Sequence, residues 1–399
     1  MIYKPFLLFL LLTQISFTLE AAPIKHIRVV WHKNPATTAH IVWTTDKIKC
    51  KSKIYFDTES RNGKIEKYSY QEKAKTRPYF GTLDFRHSST ITNLKPDTKY
   101  YFMVKAGDLI SKEYYFITAP SNDKSFKLLF GGDSRSNRLK RKKIHKFVGK
   151  LFNANPSIYA FVHGGDYISQ GLSWKLWKEW LTDWQLTRSS DNRILPIIPS
   201  RGNHEQFSPL FNDVFASPGG RGIFTNFYKT KFPNLSIINL NSNISYAGPQ
   251  KKWLANALNE SAQDSTFIVA NYHRPAWPAV KKPGGALKHW VPLFDDYQID
   301  LAFESDGHAL KRTVPIYKNR LDFKKGVTYV GEGGMGVKLR FPQRKDEWYL
   351  QAPGYATSKF HIMMLEVSSN EMLLTVNLPS GIVFDQIKFS KRDRKKLIK

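Results

Sequence analysis

Five short segments of the chain combine glycine or small polar residues with side chains that bind metal ions. They are Gly131–Arg135, Gly164–Asp166, Arg201–Glu205, Asn271–Arg274 and Glu304–His308. Carboxylate and imidazole groups suit zinc, manganese and iron, and a neighbouring glycine lets the backbone approach a small ion closely. Two such ions about 3.5–4 Å apart clamp a phosphoryl group and generate hydroxide near neutral pH. Together, the segments predict a site for phosphoryl chemistry.

Each segment is a weak signal when it is taken alone. A Gly-Asp pair such as Gly165–Asp166 is more often a turn, and a single histidine such as His273 is more often only hydrogen-bonded. The ordered set of Gly-Asp, Gly-Asp, Gly-Asn-His-Glu, His and Asp-Gly-His is much more specific. We therefore interpret the segments as parts of one site.

Each segment follows a short apolar run that is typical of a buried strand. The runs are Phe126–Phe130, Tyr159–Val162, Ile194–Ile198, Phe267–Ala270 and Ile299–Phe303. Residues with helical spacing lie between several of these runs, and such alternation predicts an α/β layer architecture. Ligands in such folds bind beyond the carboxyl ends of the strands. The polar segments are therefore expected along one edge.

The region before this α/β domain contains several short apolar or alternating runs with turn residues between them. Residues 23–120 therefore predict a β-sandwich. Within it, Leu94–Tyr100 resembles the corner of fibronectin type III domains, in which a tyrosine hydroxyl bonds back to the backbone. We find nothing catalytic in this region. Its expected role is to pack against the following domain and shape its cleft, with carbohydrate or surface binding as the alternative.

The motifs as a set resemble those of the calcineurin-like metallophosphoesterases. With the β domain in front, the chain is similar to the purple acid phosphatase branch. Gly202–Glu205 is the most specific match, and Gly248–Leu254, Tyr329–Gly334 and Val383–Asp385 also match. The resemblance implies a four-layer α/β fold, in which helices flank a β-sandwich, after an all-β fibronectin type III-like domain. It also implies two metal ions of the iron, zinc or manganese class.

The same resemblance assigns roles to individual residues. Asp133 would bind metal one, Asp166 would bridge both metals, and Asn203 and His273 would bind metal two. His204 would contact the substrate or protonate the leaving group. A metal-bound hydroxide would then attack phosphorus in line while a nearby acid assists departure of the alcohol.

Two departures from the family pattern concern metal one. Purple acid phosphatases carry a tyrosine three positions after the bridging aspartate, where this chain has Ser169, and Tyr167 is one residue after Asp166. Other metallophosphoesterases use Asp-x-His in the first motif, where this chain has Arg135. Metal one is therefore expected to lack one ligand. Arg135 is predicted to hold a substrate phosphate, with a surface salt bridge as the alternative.

The last motif departs from the family pattern too. The family has Gly-His-x-His before Ala-Tyr-Glu-Arg, and this chain has Asp306-Gly307-His308 before Ala309-Leu310-Lys311-Arg312. Aligning on Ala309 and Arg312 makes His308 a ligand of metal one and puts Asp306 in place of a histidine ligand of metal two. The competing register uses His308 for the first histidine. We prefer the first register because it preserves the downstream pattern.

The composition narrows the chemistry and the partners. The 399 residues hold 61 Lys+Arg, 33 Asp+Glu and one cysteine, for a net charge of +28. One cysteine rules out an internal disulfide and a cysteine-rich metal site. The charge predicts acidic partners, here a phosphorylated small molecule or polymer, with Arg274 also expected to bind substrate. We find no motif that reads nucleic acid, and the sequence does not give the oligomeric state.

The two ends of the chain have compositions of their own. Residues 1–22 contain Lys4, an apolar run and Ala21-Ala22, which predicts a cleaved signal peptide and a secreted or periplasmic protein. Residues 121–387 are expected to form the metal domain. Residues 388–399 hold seven basic side chains and predict a flexible tail that contacts an anionic surface.

These observations favour an exported phosphomonoesterase of the acid phosphatase type. Two alternatives stay open. One is a phosphodiesterase of the same superfamily, and the other is a noncatalytic binding protein that keeps the scaffold.

Overall fold

The structure is a computed structural model that describes residues 24–47, 49–217 and 225–394. The predicted signal peptide, residues 1–22, lies outside the described residues. Within the described part of the chain, no helix has the length and apolar character needed to cross a bilayer.

Strands β1 to β8 form an all-β first domain. Their bounds are Lys25–Val30, Ala39–Thr45, Ser52–Asp57, Tyr70–Pro78, Phe85–Ile91, Lys99–Ala106, Leu109–Ile110 and Tyr114–Ile117. The backbone N–H of Lys95 donates to the Tyr100 hydroxyl at 2.8 Å, which is the contact expected of the fibronectin corner. The all-β domain is confirmed, while its fibronectin type III relationship stays a prediction.

The second domain contains strands β9 to β23 and helices α1 to α6. The strands are Phe126–Gly131, Ile158–His163, Ile197–Pro199, Tyr228–Phe232, Leu235–Asn239, Phe267–Asn271, Leu301–Glu304, Leu310–Arg312, Ile316–Tyr317, Arg320–Leu321, Thr328–Gly331, Tyr355–Thr357, Ile362–Val367, Glu371–Asn377 and Val383–Ser390. The helices are Arg138–Ala154, Trp174–Trp184, Pro209–Phe215, Gly248–Asp264, Ala286–His289 and Val291–Asp296. Single turns of 3₁₀ helix lie at Ile65–Lys67, Gln185–Thr187 and Trp348–Leu350.

Two sheets of the second domain pack face to face. One has the order β23-β22-β21-β9-β10-β11, and the other has the order β12-β13-β14-β15-β19-β16-β20. The rings of Phe130 and Phe303 stack 3.6 Å apart between them. Helix α1 begins after Asn137, whose side chain accepts from the N–H of Lys140, and α1, α2 and α3 cover the outer face of the first sheet. Helices α4, α5 and α6 cover the other, so the four-layer α/β architecture is confirmed.

The two domains share a sheet. Strand β1 pairs in parallel with β11, with Val30 opposite Ile197. Within the second domain, β9, β10 and β11 are mutually parallel, and so are β13, β14, β15 and β19. The carboxyl ends of each parallel set therefore lie at one edge, which is where the polar segments begin.

The C-terminal basic segment is part of the fold over most of its length. Strand β23 continues to Ser390, so Lys388 lies in the sheet. Arg394 then binds Asp300 at 2.5 Å, and Arg392 donates to the Gly326 carbonyl at 2.6 Å. The prediction of a flexible tail from residue 388 is wrong up to residue 394, because buried carboxylate and carbonyl partners hold these two arginines against the domain. Residues 395–399 lie outside the described residues.

Candidate metal centre

The six predicted metal ligands all lie just beyond strand ends. Asp133 follows β9, Asp166 follows β10, Asn203 follows β11, His273 follows β14, and Asp306 and His308 lie between β15 and β16. Except for the half-buried Asn203, these residues are buried, with at most 5% exposed. The fold thus brings together polar groups that are up to 175 positions apart in the sequence (308 − 133).

The side chains form two groups that share one carboxylate. Asp133, Asp166 and His308 place ligand atoms within 4.8 Å of one another, and so do Asp166, His273 and Asp306. Asn203 joins the second group, because its Oδ1 lies 2.9 Å from Nε2 of His273. This grouping is the one that the alignment on Ala309 and Arg312 predicts.

The backbone at these positions is strained. Asp133, Asp166, Asp306 and His308 have φ of 59°, 59°, 69° and 61°, a left-handed conformation that non-glycine residues seldom adopt. Such strain costs on the order of 1–3 kcal/mol per residue and persists where the surroundings fix it, usually at functional sites. The ligand loops are therefore held in place by the fold.

Hydrogen bonds orient the two imidazoles. Nδ1 of His273 donates to the Gly164 carbonyl at 2.9 Å, and Nδ1 of His308 donates to the Lys338 carbonyl at 3.2 Å. Each ring therefore turns its Nε2 toward the carboxylates, at 3.3 Å from Asp166 Oδ1 for His273 and 3.3 Å from Asp133 Oδ1 for His308. Orientation of a ligand histidine through its other nitrogen is typical of metal sites.

Glu205 holds two of the ligand loops together. Its carboxylate accepts from the N–H groups of Gly202 at 2.7 Å, Asp166 at 2.9 Å and Tyr167 at 2.8 Å. Burial, together with the nearby charge of Asp166, raises the pKa of Glu205 to about 7. Gly202 must stay small, since an added Cβ would lie 2.3 Å from Asp166 Oδ1. The sequence reasoning gave Glu205 no role, although it completes the Gly-Asn-His-Glu motif.

The buried negative charge of the site indicates that it binds cations. Oδ1 of Asp133 is buried and finds no hydrogen-bond partner among the described residues, and an uncompensated buried carboxylate is costly. Burial opposes protonation of His273, but the charge of Asp166, supported by Asp133 and Asp306, raises its pKa to about 10. A buried set of three carboxylates with imidazole and amide donors fits ions of the iron, zinc or manganese class.

The side chain of Arg135 lies beside the first ligand group. Its Nε donates to Asp166 Oδ2 at 3.1 Å, and its terminal nitrogen lies 3.4 Å from Nε2 of His308. The side chain is only 15% exposed, so the alternative of a surface salt bridge is wrong. The guanidinium therefore lies beside the first ligand group, at the position where Asp-x-His families would have a histidine ligand.

His204 and Arg274 flank the second group. Nδ1 of His204 donates to the Ser169 carbonyl at 2.9 Å, and its Nε2 lies 3.9 Å from Asp166 Oδ2. Arg274 is exposed and lines a cavity of about 450 Å³ with Asn203, Phe207 and other residues. The fold thus places His204 beside the shared carboxylate and Arg274 farther out, in an adjoining cavity.

Tyr167 points away from the ligands. Its ring stacks on His163 with 3.9 Å between centroids and packs on Trp180 and Phe215 at 4.9 and 4.8 Å. An aromatic cluster thus buries this side chain behind the loop, and Ser169 stands at the position of the family tyrosine.

Lys281 is a residue of the site that sequence reasoning missed. Its Nζ lies 2.5 Å from Oδ1 of Asp306. No motif surrounds Lys281, and only its contact in the fold reveals it.

A sandwich of two sheets that carries two ligand groups around a shared aspartate at the ends of its strands defines a metallophosphoesterase. Family models agree with this class. The model described as calcineurin-like phosphoesterase matches residues 89–310, and the model of the purple acid phosphatase N-terminal domain matches residues 24–118. The chain belongs to the calcineurin-like phosphoesterase family and is a phosphoesterase hydrolase.

Individual relatives agree with the family. Purple acid phosphatase 1 of Ipomoea batatas is 24% identical over 312 residues, covering 68% of this chain and 61% of its own length. Fe(3+)-Zn(2+) purple acid phosphatase 12 of Arabidopsis thaliana is 23% identical over 258 residues, covering 58% and 53%. The structure of purple acid phosphatase PPD1 from yellow lupin (Lupinus luteus) seeds superposes with a TM-score of 0.76 at 16% identity, covering 95% of this chain and 76% of that one.

Proposed function

We propose that the protein is an exported phosphomonoesterase that hydrolyses its substrate at a centre of two metal ions. The observation that carries the proposal is the pair of ligand groups that share Asp166. Asp133 and His308 would hold one ion, and Asn203, His273 and Asp306 the other. When bound, such ions supply Lewis acidity and make hydroxide available near neutral pH.

The chain's own residues would supply the rest of the chemistry. Arg135 lies beside Asp166 and His308 of the first group. Its guanidinium would bind phosphate oxygens, because its donors suit planar recognition of phosphate. His204 would deliver a proton to the departing alcohol from Nε2, since the Ser169 carbonyl already binds its Nδ1. Arg274 would contact the alcohol portion in the adjoining cavity.

Export rests on the sequence of the first 22 residues, which has the charge, the apolar run and the small residues of a signal peptide. We expect the mature protein to begin near Pro23 and to be found outside the cytoplasm. N-terminal sequencing of the fractionated native protein tests this. A start at Met1 in the cytoplasmic fraction would contradict it.

The enzymatic test compares a phosphate monoester and a phosphate diester as substrates for protein loaded with iron, zinc or manganese. We expect wild type to hydrolyse the monoester faster, and Asn203→Ala to lose at least about a hundredfold in rate, as removal of an electrostatic stabiliser does. Faster diester hydrolysis would favour the phosphodiesterase alternative. Equal rates in wild type and Asn203→Ala, or no activity with any metal, would favour a noncatalytic binding protein.

A further inference from the structure

Asp306 places one more negative charge in the second ligand group than a histidine would. The group holds two carboxylates, Asp166 and Asp306, beside the imidazole of His273 and the amide of Asn203. An additional carboxylate lowers the net charge of the centre by one unit. A less positive centre attracts a phosphate anion less strongly.

Lys281 supplies an opposite charge at the same point. Its Nζ lies 2.5 Å from Oδ1 of Asp306, and this oxygen lies 3.7 Å from Nε2 of His273. The ammonium of Lys281 therefore contacts the second ligand group through the carboxylate of Asp306.

A buried charge network fixes the loop that carries Lys281. The N–H groups of Ala276 and Ala279 donate to Glu304 at 2.6 Å and to Glu332 at 2.7 Å. Both carboxylates also bind the ammonium of Lys311, at 2.5 and 3.0 Å, and all three charged side chains are fully buried. Two hydrogen bonds thus fix the segment before Lys281. The side chain of Lys281 extends from this fixed segment to Asp306.

We propose that Lys281 is a positioning residue that acts through Asp306 and restores the charge balance of the centre. Its ammonium offsets the carboxylate that replaces a neutral ligand, so the second group keeps the positive potential that a phosphate ester needs. This inference rests on the proposed function, because it assumes that the two groups hold metal ions. An ion pair that only stabilised the loop would give different results for metal content and phosphate affinity in the experiment that follows.

The experiment measures two quantities on metal-loaded protein. One is the metal content per chain by mass spectrometry, and the other is the dissociation constant of inorganic phosphate by calorimetry. The variants are Lys281→Met, Lys281→Arg and the matched control Lys282→Met, which removes the same charge from the adjacent, exposed lysine. Asp306→His, alone and with Lys281→Met, completes the set.

We expect Lys281→Met to retain both metals and to bind phosphate about tenfold more weakly, since one nearby charge is lost. Lys281→Arg and Lys282→Met should stay within about threefold of wild type. The double variant Asp306→His with Lys281→Met has the same net charge as wild type. Its phosphate affinity should therefore return to within about threefold of the wild-type value.

Three results would overturn the proposal. Lys281→Met could lose metal, which would show that the lysine only holds the loop. It could equal Lys282→Met in phosphate affinity, or the double variant could bind phosphate as weakly as Lys281→Met. Failure of the proposed function is distinguishable, because wild type itself would then retain no metal and bind no phosphate, and the proposal would fall with it. Should Asp306→His not fold, the comparison of Lys281→Met with Lys282→Met decides alone.

Discussion

The backbone N–H of Asp306 donates to Oδ2 of Asp133 at 2.9 Å. Asp133 follows a strand of one sheet, and Asp306 follows a strand of the other. The bond therefore joins the two sheets at the edge where the ligands lie. It also links a residue of the first ligand group to a residue of the second, so the separation of the two groups is set by the packing of the sandwich.

Asp306→Ala should lose about one metal ion per chain. The substitution removes a carboxylate of the second group and leaves Asp133, Asp166 and His308 of the first group in place. Metal content after dialysis against a weak chelator measures the loss, and phosphatase activity should fall with it. Unchanged metal content and activity would show that Asp306 is not a ligand.

The iron-loaded protein should show no strong visible absorption band from a tyrosinate–iron bond. Ser169 stands at the position of the family tyrosine, and Tyr167 is buried against His163 and Trp180. A visible spectrum of purified, iron-reconstituted protein checks this, with Tyr167→Phe as the control. A strong band that disappears in Tyr167→Phe would mean that the ring turns toward the metal.

The sequence predicts the α/β layer architecture, because the apolar runs and the helical spacing that indicate it are local patterns. The ligand set came from the resemblance to the family. The structure brings these side chains together, and their binding of metal stays a prediction. Apolar runs placed the strands, and the residue after each strand end could be read directly. The pairing of Asp306 with His273 followed from the alignment on Ala309 and Arg312.

Contacts between segments that are distant in the sequence could not be predicted from local sequence patterns. Lys281 meets Asp306 only because the two loops are packed side by side, and no spacing in the sequence encodes that approach. The direction of Tyr167 depends on an aromatic pocket supplied by α2 and α3. The local pattern also predicts a tail at Arg394, because its partner Asp300 lies 94 positions away (394 − 300).

Glu205→Ala should destabilise the protein and impair metal binding together. The variant leaves three N–H groups, those of Gly202, Asp166 and Tyr167, without their acceptor. Unsatisfied buried donors cost on the order of 1–3 kcal/mol each, so we expect a loss of at least about 3 kcal/mol in the free energy of unfolding. Denaturant titration measures this loss. Glu205→Gln keeps one acceptor oxygen, so its free energy of unfolding should lie between those of wild type and Glu205→Ala. A Glu205→Ala protein as stable as wild type would contradict this expectation.

Stability should fall as the pH drops from about 6.5 to 4. Burial lowers the pKa of His87 to about 4, and its ring is bonded to Ser52 and Thr76 through Nδ1 and to Thr45 through Nε2. A folded-state pKa below the unfolded value of about 6.5 means that the unfolded chain binds more protons in this window, so acid favours unfolding.

For His87 the loss at pH 5 is on the order of 1–2 kcal/mol relative to pH 7. Burial also lowers the pKa of His361 to about 4, which adds to the effect. Urea titrations at several pH values measure the slope of the free energy of unfolding against pH, and His87→Gln should reduce this slope. His289→Gln, at a half-buried side chain, is the control. Equal slopes in wild type and His87→Gln would refute this assignment.

Anomalous diffraction from metal-soaked crystals can locate the two metal ions that we expect on either side of Asp166. We expect two peaks about 3.5–4 Å apart. One should lie among Asp133, Asp166 and His308, and the other among Asp166, His273 and Asp306. A single peak, or peaks away from Asp166, would contradict this expectation.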